Sequence, residues 1–385
     1  MKLSIILMWI CLLFCSHIIS GQQDTIPTKK KISFRDPVDG AFDVSSFLLE
    51  HNGVLPIIIP ITEPAVGYGA GLAVLYFHKR KKKYKTYVAP DVSGVVGLYT
   101  ENKTWGAGAF HAHTFGENRV RTLTAVIKPN LKINYYGNNS EILAKNPIGI
   151  DLDSWLFYQK AQVRIGNSKL YVGGAYTYLN SAVSFEEIPN RPLLNLILER
   201  LNTNSIISSI KPIATYDSRN NTFTPTKGIM AEIGLNYSAT WLGSDDNFST
   251  MTTDFFWYLP LTDKLHSKYR FQGSFLFGDA PFYAYPFIDL RGIASMRYQN
   301  DTTLVIETEW SYNIYNRWWL TAFGGTGKAF SDFNAFGSED WVYNIGTGFR
   351  YRLARQLGVN MGTDFAWGNG KDFCLLYCLW DILVS

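Results

Sequence analysis

Charged residues spaced two apart offer this sequence its most specific chemistry. Glu307 and Glu309 share one face of their segment, opposite Ile306 and Trp310, and Arg350 and Arg352 repeat the spacing in residues 341–353. Asp364 stands opposite Met361, Thr363 and Phe365. In an extended chain a spacing of two puts side chains on one side, so these charges of both signs point into one confined space. An unpaired buried charge costs several kcal/mol, and the expected chemistry is therefore mutual pairing and interior packing. Other candidates fall short of a site. His111 and His113 share a strand face but lack an evident third ligand, so no metal centre is expected. Gly324 to Lys328, GGTGK, has Ala322 in place of the first phosphate-loop glycine and Ala329 in place of the magnesium-binding hydroxyl. Gly67, Gly69 and Gly71 alternate with Tyr68, Ala70 and Leu72, and make a smooth inner wall rather than a dinucleotide turn. Lys79 to Lys83, KRKKK, is expected to be a solvated turn near phospholipid headgroups, with no nucleic-acid partner. No GxSxG is present, and no histidine sits in an obvious triad. Neither catalysis nor a cofactor is expected.

The segments that must carry these side chains alternate apolar and polar residues. Gly228 to Trp241 is the plainest: Ile229, Ala231, Ile233, Leu235, Tyr237, Ala239 and Trp241 fall on one face, with Met230, Glu232, Gly234, Asn236, Ser238 and Thr240 on the other. One face meets an apolar medium and the other meets polar groups. Similar segments begin near Val54, Gly67, Ala89, Thr104, Val120, Asp153, Leu170, Ile206, Phe248, Leu265, Asp301, Trp318, Trp341 and Leu357 and close with Cys374 to Val384. The total is about sixteen, an even number as bacterial single-chain barrels require. The fold class predicted is an all-β, antiparallel transmembrane β-barrel. The three longest connections, near residues 132–152, 180–205 and 278–300, all follow odd-numbered strands. Short turns therefore share the N-terminal, periplasmic side. A helical turn or two is expected in Pro192 to Arg200.

Composition agrees with that compartment. Charged residues make up 18% and aromatics 15%, against roughly 25% charged in a soluble domain, and the net charge of +4 implies no strongly acidic or basic partner. Met1 to about Gly21 has Lys2 followed by an apolar run from Leu3 to Leu13 and small residues at Ser20 and Gly21, the order of a secretory signal. Cys15 is expected to be unlipidated. Residues 22–53 are predicted to be a periplasmic leader without room for a folded domain, and 54–385 the barrel. Cys374 and Cys378 lie on one strand, where a disulfide is unfavourable.

Two motifs carry a resemblance. Tyr216 to Gly228 reads YDSRNNTFTPTKG and Leu290 to Tyr298 reads LRGIASMRY. Together they resemble the bacterial surface antigen family of outer-membrane barrels, the superfamily that includes BamA and TamA. The matching residues are Asp217, Arg219, Pro225, Thr226 and Gly228 in a periplasmic turn, then Leu290, Arg291, Gly292 and Ile293 at the tip of the sixth outer loop. The likeness covers roughly Pro60 to Asp372. It implies a sixth loop folded into the lumen, with Arg291 paired to acids on the inner wall. The usual acid, an Asp in an F-x-D segment, corresponds to Gly325 after Phe323 and Gly324, so Glu307 or Glu309 is expected to replace it.

The same resemblance implies a non-enzymatic outer-membrane protein of a Gram-negative bacterium, assisting insertion or translocation of protein or lipid. Its expected partners are outer-membrane lipid and the barrel assembly machinery, with the client undefined. A passive small-solute channel is the alternative, and an outer-membrane lipid hydrolase a more remote one. Two departures stand out: the leader cannot encode the POTRA domains through which relatives recruit clients, and Phe373 to Ser385, FCLLYCLWDILVS, alternates little. A frameshift after about Asp372 would account for that ending.

Overall fold

The computed structural model describes residues 33–50, 53–63, 65–78, 88, 90–136, 147–186, 203–369 and 372–379. Residues 1–32, which hold the expected signal peptide and most of the expected leader, the KRKKK run, Pro192 to Arg200 and residues 380–385 lie outside them. Sixteen strands form one sheet in sequence order. They open with β1 (Val54–Ile61), β2 (Gly69–Phe77), β3 (Val92–Thr100), β4 (Trp105–Phe115) and β5 (Val120–Tyr135). Next come β6 (Ile148–Arg164), β7 (Leu170–Phe185), β8 (Thr203–Asp217), β9 (Gly228–Ser238), β10 (Phe248–Pro260) and β11 (Leu265–Gly278). The last are β12 (Thr302–Tyr315), β13 (Trp318–Phe330), β14 (Val342–Ala354), β15 (Val359–Gly368) and β16 (Asp372–Leu379). Every neighbouring pair in this order is antiparallel, as in β1 with β2 and β15 with β16.

The period of two decides what faces where. Along β14, Tyr343, Ile345 and Phe349 are 57%, 67% and 40% exposed, while Asn344 and Arg350, on the opposite face, are buried. Apolar side chains outside and polar ones inside mean that the apolar medium surrounds the sheet. Exposed aromatics gather at two levels. Phe115, Tyr216, Trp257, Tyr312 and Trp318 lie toward the short-turn end, and Tyr99, Trp105, Tyr237, Tyr343 and Trp367 toward the other. Rings of this kind mark the two membrane interfaces.

The sheet almost closes on itself. β1 and β16 are its edges, and across them Leu375 N–H donates to Thr62 Oγ1 at 2.8 Å, the Thr62 hydroxyl donates to Leu375 O, and Cys374 Sγ lies 3.4 Å from Thr62 O. No backbone ladder joins the two strands among the described residues. Pro56 and Pro60 supply a reason. Each lacks the N–H that a ladder needs, and proline belongs on edge strands for that reason. β1 therefore cannot present a full row of donors to β16.

The described segment ahead of β1 is structured. Residues 34–50 dock against the short-turn end, where Val44 N–H donates to Leu353 O at 3.0 Å. Ser45–Glu50 forms a short helix, α1, begun by Asp43, whose carboxylate accepts from Ser45 N–H at 2.6 Å. Leu48 and Val44 join Phe77, Val92, Leu353 and Val359 in one apolar cluster. Arg317, in the β12–β13 turn, binds three carboxylates of this segment: Nη2 to Asp36 at 2.8 Å, Nε to Asp39 at 2.7 Å and Nη1 to Asp43 at 2.6 Å. Arg355 reaches Asp36 at 2.6 Å.

That hydrogen bond from Arg355, with the nearby Arg317 charge, holds the Asp36 carboxyl down at about 2. A carboxyl depressed in the folded state contributes stability that is complete above its unfolded value, near 3.9, and is lost as pH falls through the folded one. The segment is expected to become protease-sensitive between about pH 4 and pH 2, before the barrel loses its compact gel mobility. Arg317→Ala should release it at neutral pH, since removing one partner of a buried ion pair costs about 3–5 kcal/mol. Limited proteolysis followed by mass spectrometry checks both, and protection of residues 34–50 in the variant would contradict the clamp.

Candidate functional site: a lumenal latch

Residues 279–301 turn back from the end opposite the short turns into the barrel. Ile288, Leu290 and Ile293 are buried against Val305 and Val342. Gly292 adopts φ +85°, and a Cβ there would meet the Ala366 backbone and side chain at 3.0–3.1 Å. The tip therefore needs glycine twice over, for its left-handed backbone and for its close approach to β15.

Arg291 sits at this tip among three carboxylates. Its Nε lies 3.1 Å from Glu307 Oε1, and its Nη1 lies 2.6 Å from Glu309 Oε2 and 3.0 Å from Asp364 Oδ2. Its guanidinium plane stacks 3.5 Å from the centre of the Phe323 ring. Arg350 grips Asp364 with both terminal nitrogens, at 2.6 and 2.9 Å. Asn344 Nδ2 donates to Arg291 O at 2.9 Å and to Glu307 Oε1 at 3.1 Å. Lys268 faces Glu309 directly across the ladder. Three cations, Arg291, Arg350 and Lys268, thus meet three anions, and the group is neutral as a buried network must be.

The strand register makes room for these side chains. Glu307 pairs with Gly325, Asp364 with Gly348 and Arg350 with Gly362. These three charged groups thus have a glycine as cross-strand neighbour on the crowded inner wall, whereas Glu309 stands opposite Phe323 and Lys268. A Cβ on Gly325 would meet Asn344 Oδ1 at 3.0 Å, and one on Gly362 would come within 2.8 Å of Arg350 Cδ. The glycines are the negative image of the latch.

A second tether ties the loop to the seam side. Ser295 N–H donates to Glu63 Oε1 at 3.0 Å, just beyond β1, and burial pushes the Glu63 carboxyl up despite that bond. The loop is thereby held both to the wall of β12–β15 and to the connection that follows β1.

The turn motif occupies a separate place at the short-turn end. Asp217 accepts from Arg219 at 2.9 Å and from Arg121 at 2.7 Å. Asn220 and Thr226 bond each other twice, at 2.8 and 3.0 Å. Pro225 precedes Thr226, and Gly228 closes the turn with φ +114°. Asn221 and Thr224 reach the carbonyls of Leu357 and Gly358 across the mouth. Arg291, Gly292, Glu307, Glu309, Arg350 and Asp364 are therefore brought together, whereas Asp217, Arg219 and the turn form a distant second cluster.

Several participants escape sequence reasoning. Strand parity puts Asp364 inside, but only the register places it on Arg291. Phe323 is marked in the sequence only as the first residue of the segment matching F-x-D, without its stacking on Arg291, and Asn344 carries no sequence signal for the latch beyond inward parity. His111 and His113 face outward, and Ser93 Oγ bridges His78 and His111 at 2.8 Å each. Among the described residues no cluster of three His, Cys, Asp or Glu is arranged for a metal ion.

Residues 113–288 match the Omp85 superfamily domain. No curated protein matches the sequence. In fold the chain is similar to BamA from Haemophilus ducreyi lacking POTRA domains 1–3, with a TM-score of 0.55 and 11% identity over 85% of this chain and 69% of that one. It is also similar to CdiB from Acinetobacter baumannii, with a TM-score of 0.56 and 10% identity over 85% and 59% of the two chains. For CdiB from Escherichia coli the values are 0.55, 9%, 86% and 60%. The chain thus spans about three fifths of either CdiB chain, and at such identities the likeness is one of fold.

Proposed function

We propose that this chain, an outer-membrane β-barrel of the Omp85 superfamily, assists the insertion or translocation of polypeptide or lipid at the outer membrane of a Gram-negative bacterium. The seam carries this reading. An antiparallel sheet gains its cohesion from laddered edges, and an edge left unladdered can pair with another strand. Among the described residues β1 and β16 meet through the Thr62 side chain and the Leu375 backbone, not through a ladder. Separating these described edges breaks few hydrogen bonds, so a client strand or a lipid can enter between them. In this reading Arg291 and its acids are the latch that keeps the wall of β12–β15 rigid while the seam moves. Asp217, Arg219, Pro225, Thr226 and Gly228 hold the periplasmic mouth. Residues 1–21 act as a cleaved export signal, and the docked part of the leader belongs functionally to the barrel that begins at Val54.

A passive channel fits less well, because the sixth loop and its latch occupy the lumen. Depletion of the protein followed by an inventory of outer-membrane proteins and lipids tests the reading. Loss of a subset of either is expected; an unchanged inventory would overturn it.

A further inference from the structure

The outer wall of β2 to β7 departs from the apolar pattern that the membrane imposes elsewhere. From strand to strand, Tyr76, Ser93, His111, Thr124, Gln159 and Tyr176 stand opposite one another in one unbroken row. They share the face of Val95, Val126 and Phe157, which are 54%, 43% and 37% exposed, so the row looks out at lipid. His111 lies on β4 between Trp105 and Phe115, the aromatics at its two interfaces, and is therefore within the apolar band. Toward the short-turn end, His78, Asp91 and His113 widen the polar surface, with His113 Nδ1 3.4 Å from Asp91 Oδ2. In the other direction the row continues through Ile210 to Tyr237, in the opposite aromatic level. The Tyr176 hydroxyl reaches past Ile210 to Ser208 Oγ, at 3.0 Å. Strands of such a barrel tilt by roughly 35–45°, so a row drawn across them climbs, and this one joins the two interfaces.

Internal bonds occupy these groups only in part. Ser93 Oγ engages one nitrogen each of His78 and His111, at 2.8 Å, and Thr124 Oγ1 donates to Gln159 Oε1 at 2.6 Å. Polar and ionisable side chains in a membrane span ordinarily face the protein interior or a water-filled cavity. These face outward, where hydrocarbon offers no partner, so the polar groups that satisfy them must come from the bilayer. We infer that the row is a track for phospholipid headgroups, along which the phosphodiester moves from donor to donor between the leaflets while the acyl chains stay in the hydrocarbon. A second copy of the chain matches the row less well. Two upright barrels placed face to face are related by a two-fold axis along the membrane normal, so their oblique rows cross at one depth and part elsewhere. The inference rests on the lipid arm of the reading above and names a path for it.

The full chain is reconstituted in vesicles of phosphatidylethanolamine and phosphatidylglycerol with a trace of tail-labelled fluorescent phosphatidylethanolamine, and dithionite added outside reports the label that crosses. Crossing faster than in protein-free vesicles is expected. His111→Leu combined with Gln159→Leu should slow it at least about tenfold, the factor that one lost hydrogen bond to a charged group supplies, with the heat-modifiable gel mobility retained. Ile210→Thr, which fills the apolar gap in the row, should speed it. No crossing by the unaltered protein, or unchanged crossing in both variants, would overturn the inference. So would a loss of crossing that accompanies dissociation of a dimer, which would give the wall to a second copy. The two readings fail separately: a track that fails in vesicles while depletion still removes outer-membrane proteins leaves the insertion reading standing, and crossing in vesicles with an unchanged inventory after depletion leaves only the track.

Discussion

Arg291→Glu is expected to free the sixth loop from the lumen and abolish the heat-modifiable gel mobility of the folded barrel at temperatures where the unaltered protein keeps it. The substitution sets four carboxylates, Glu307, Glu309, Asp364 and the new one, around a space that now holds only the Arg350 and Lys268 cations. Breaking one buried ion pair typically costs about 3–5 kcal/mol; here three contacts of 2.6–3.1 Å are lost together. Domains of this kind are stable by only about 5–15 kcal/mol, so the effect reaches global unfolding or leaves a barrel with an emptied lumen. Single-channel conductance in planar bilayers separates the two, with a step increase over the unaltered protein expected when the barrel survives. Arg291→Lys should fall between, because an ammonium cannot reproduce the planar fork or the stacking on Phe323. An Arg291→Glu protein with unchanged mobility and conductance would show that the contacts do not hold the loop.

The second large effect concerns the seam. Thr62 Oγ1 lies 3.5 Å from Cys374 Sγ, so a sulfur placed at that oxygen needs only a small rotation to reach the 2.03–2.05 Å of a disulfide. In a Cys378→Ser background, Thr62→Cys is expected to form an intramolecular cross-link to Cys374 under mild oxidation. The bond closes a loop of most of the barrel, and links across such long loops typically add about 2–4 kcal/mol. Reductant should return the variant to the mobility of the unaltered protein. A failure to cross-link would mean that the two edges spend little time at this separation.

Much of the barrel is legible in the sequence because alternation is a property of each strand alone. Gly228 to Trp241 declares its two faces without reference to its neighbours, and the inward parity of Glu307, Glu309, Arg350 and Asp364 follows in the same way. What parity cannot supply is register. Asp364 meets Arg291 across 73 residues because β12 to β15 align with glycines opposite Glu307, Asp364 and Arg350, and a one-residue slip would turn each charged side chain to the lipid face. The leader hides for a similar reason. Asp36, Asp39 and Asp43 look like solvated polar residues until Arg317, 274 residues beyond Asp43, is placed among them. β16 alternates poorly, yet it pairs with β15 from Gly368 opposite Asp372 to Met361 opposite Leu379. Backbone hydrogen bonds need no side-chain pattern, so the ladder forms where the pattern fails. The prolines of β1 were visible throughout, but their meaning depends on knowing that β1 is an edge.

The proposal that the seam is the working part of the molecule is tested most directly in cells whose only copy is Thr62→Cys in the Cys378→Ser background. Outer-membrane proteins and lipids are quantified under oxidising conditions and again after reductant is added. The seam account expects loss of the same components as depletion while the disulfide is closed, and their return when it is reduced. A full inventory with the cross-link demonstrably closed would contradict it.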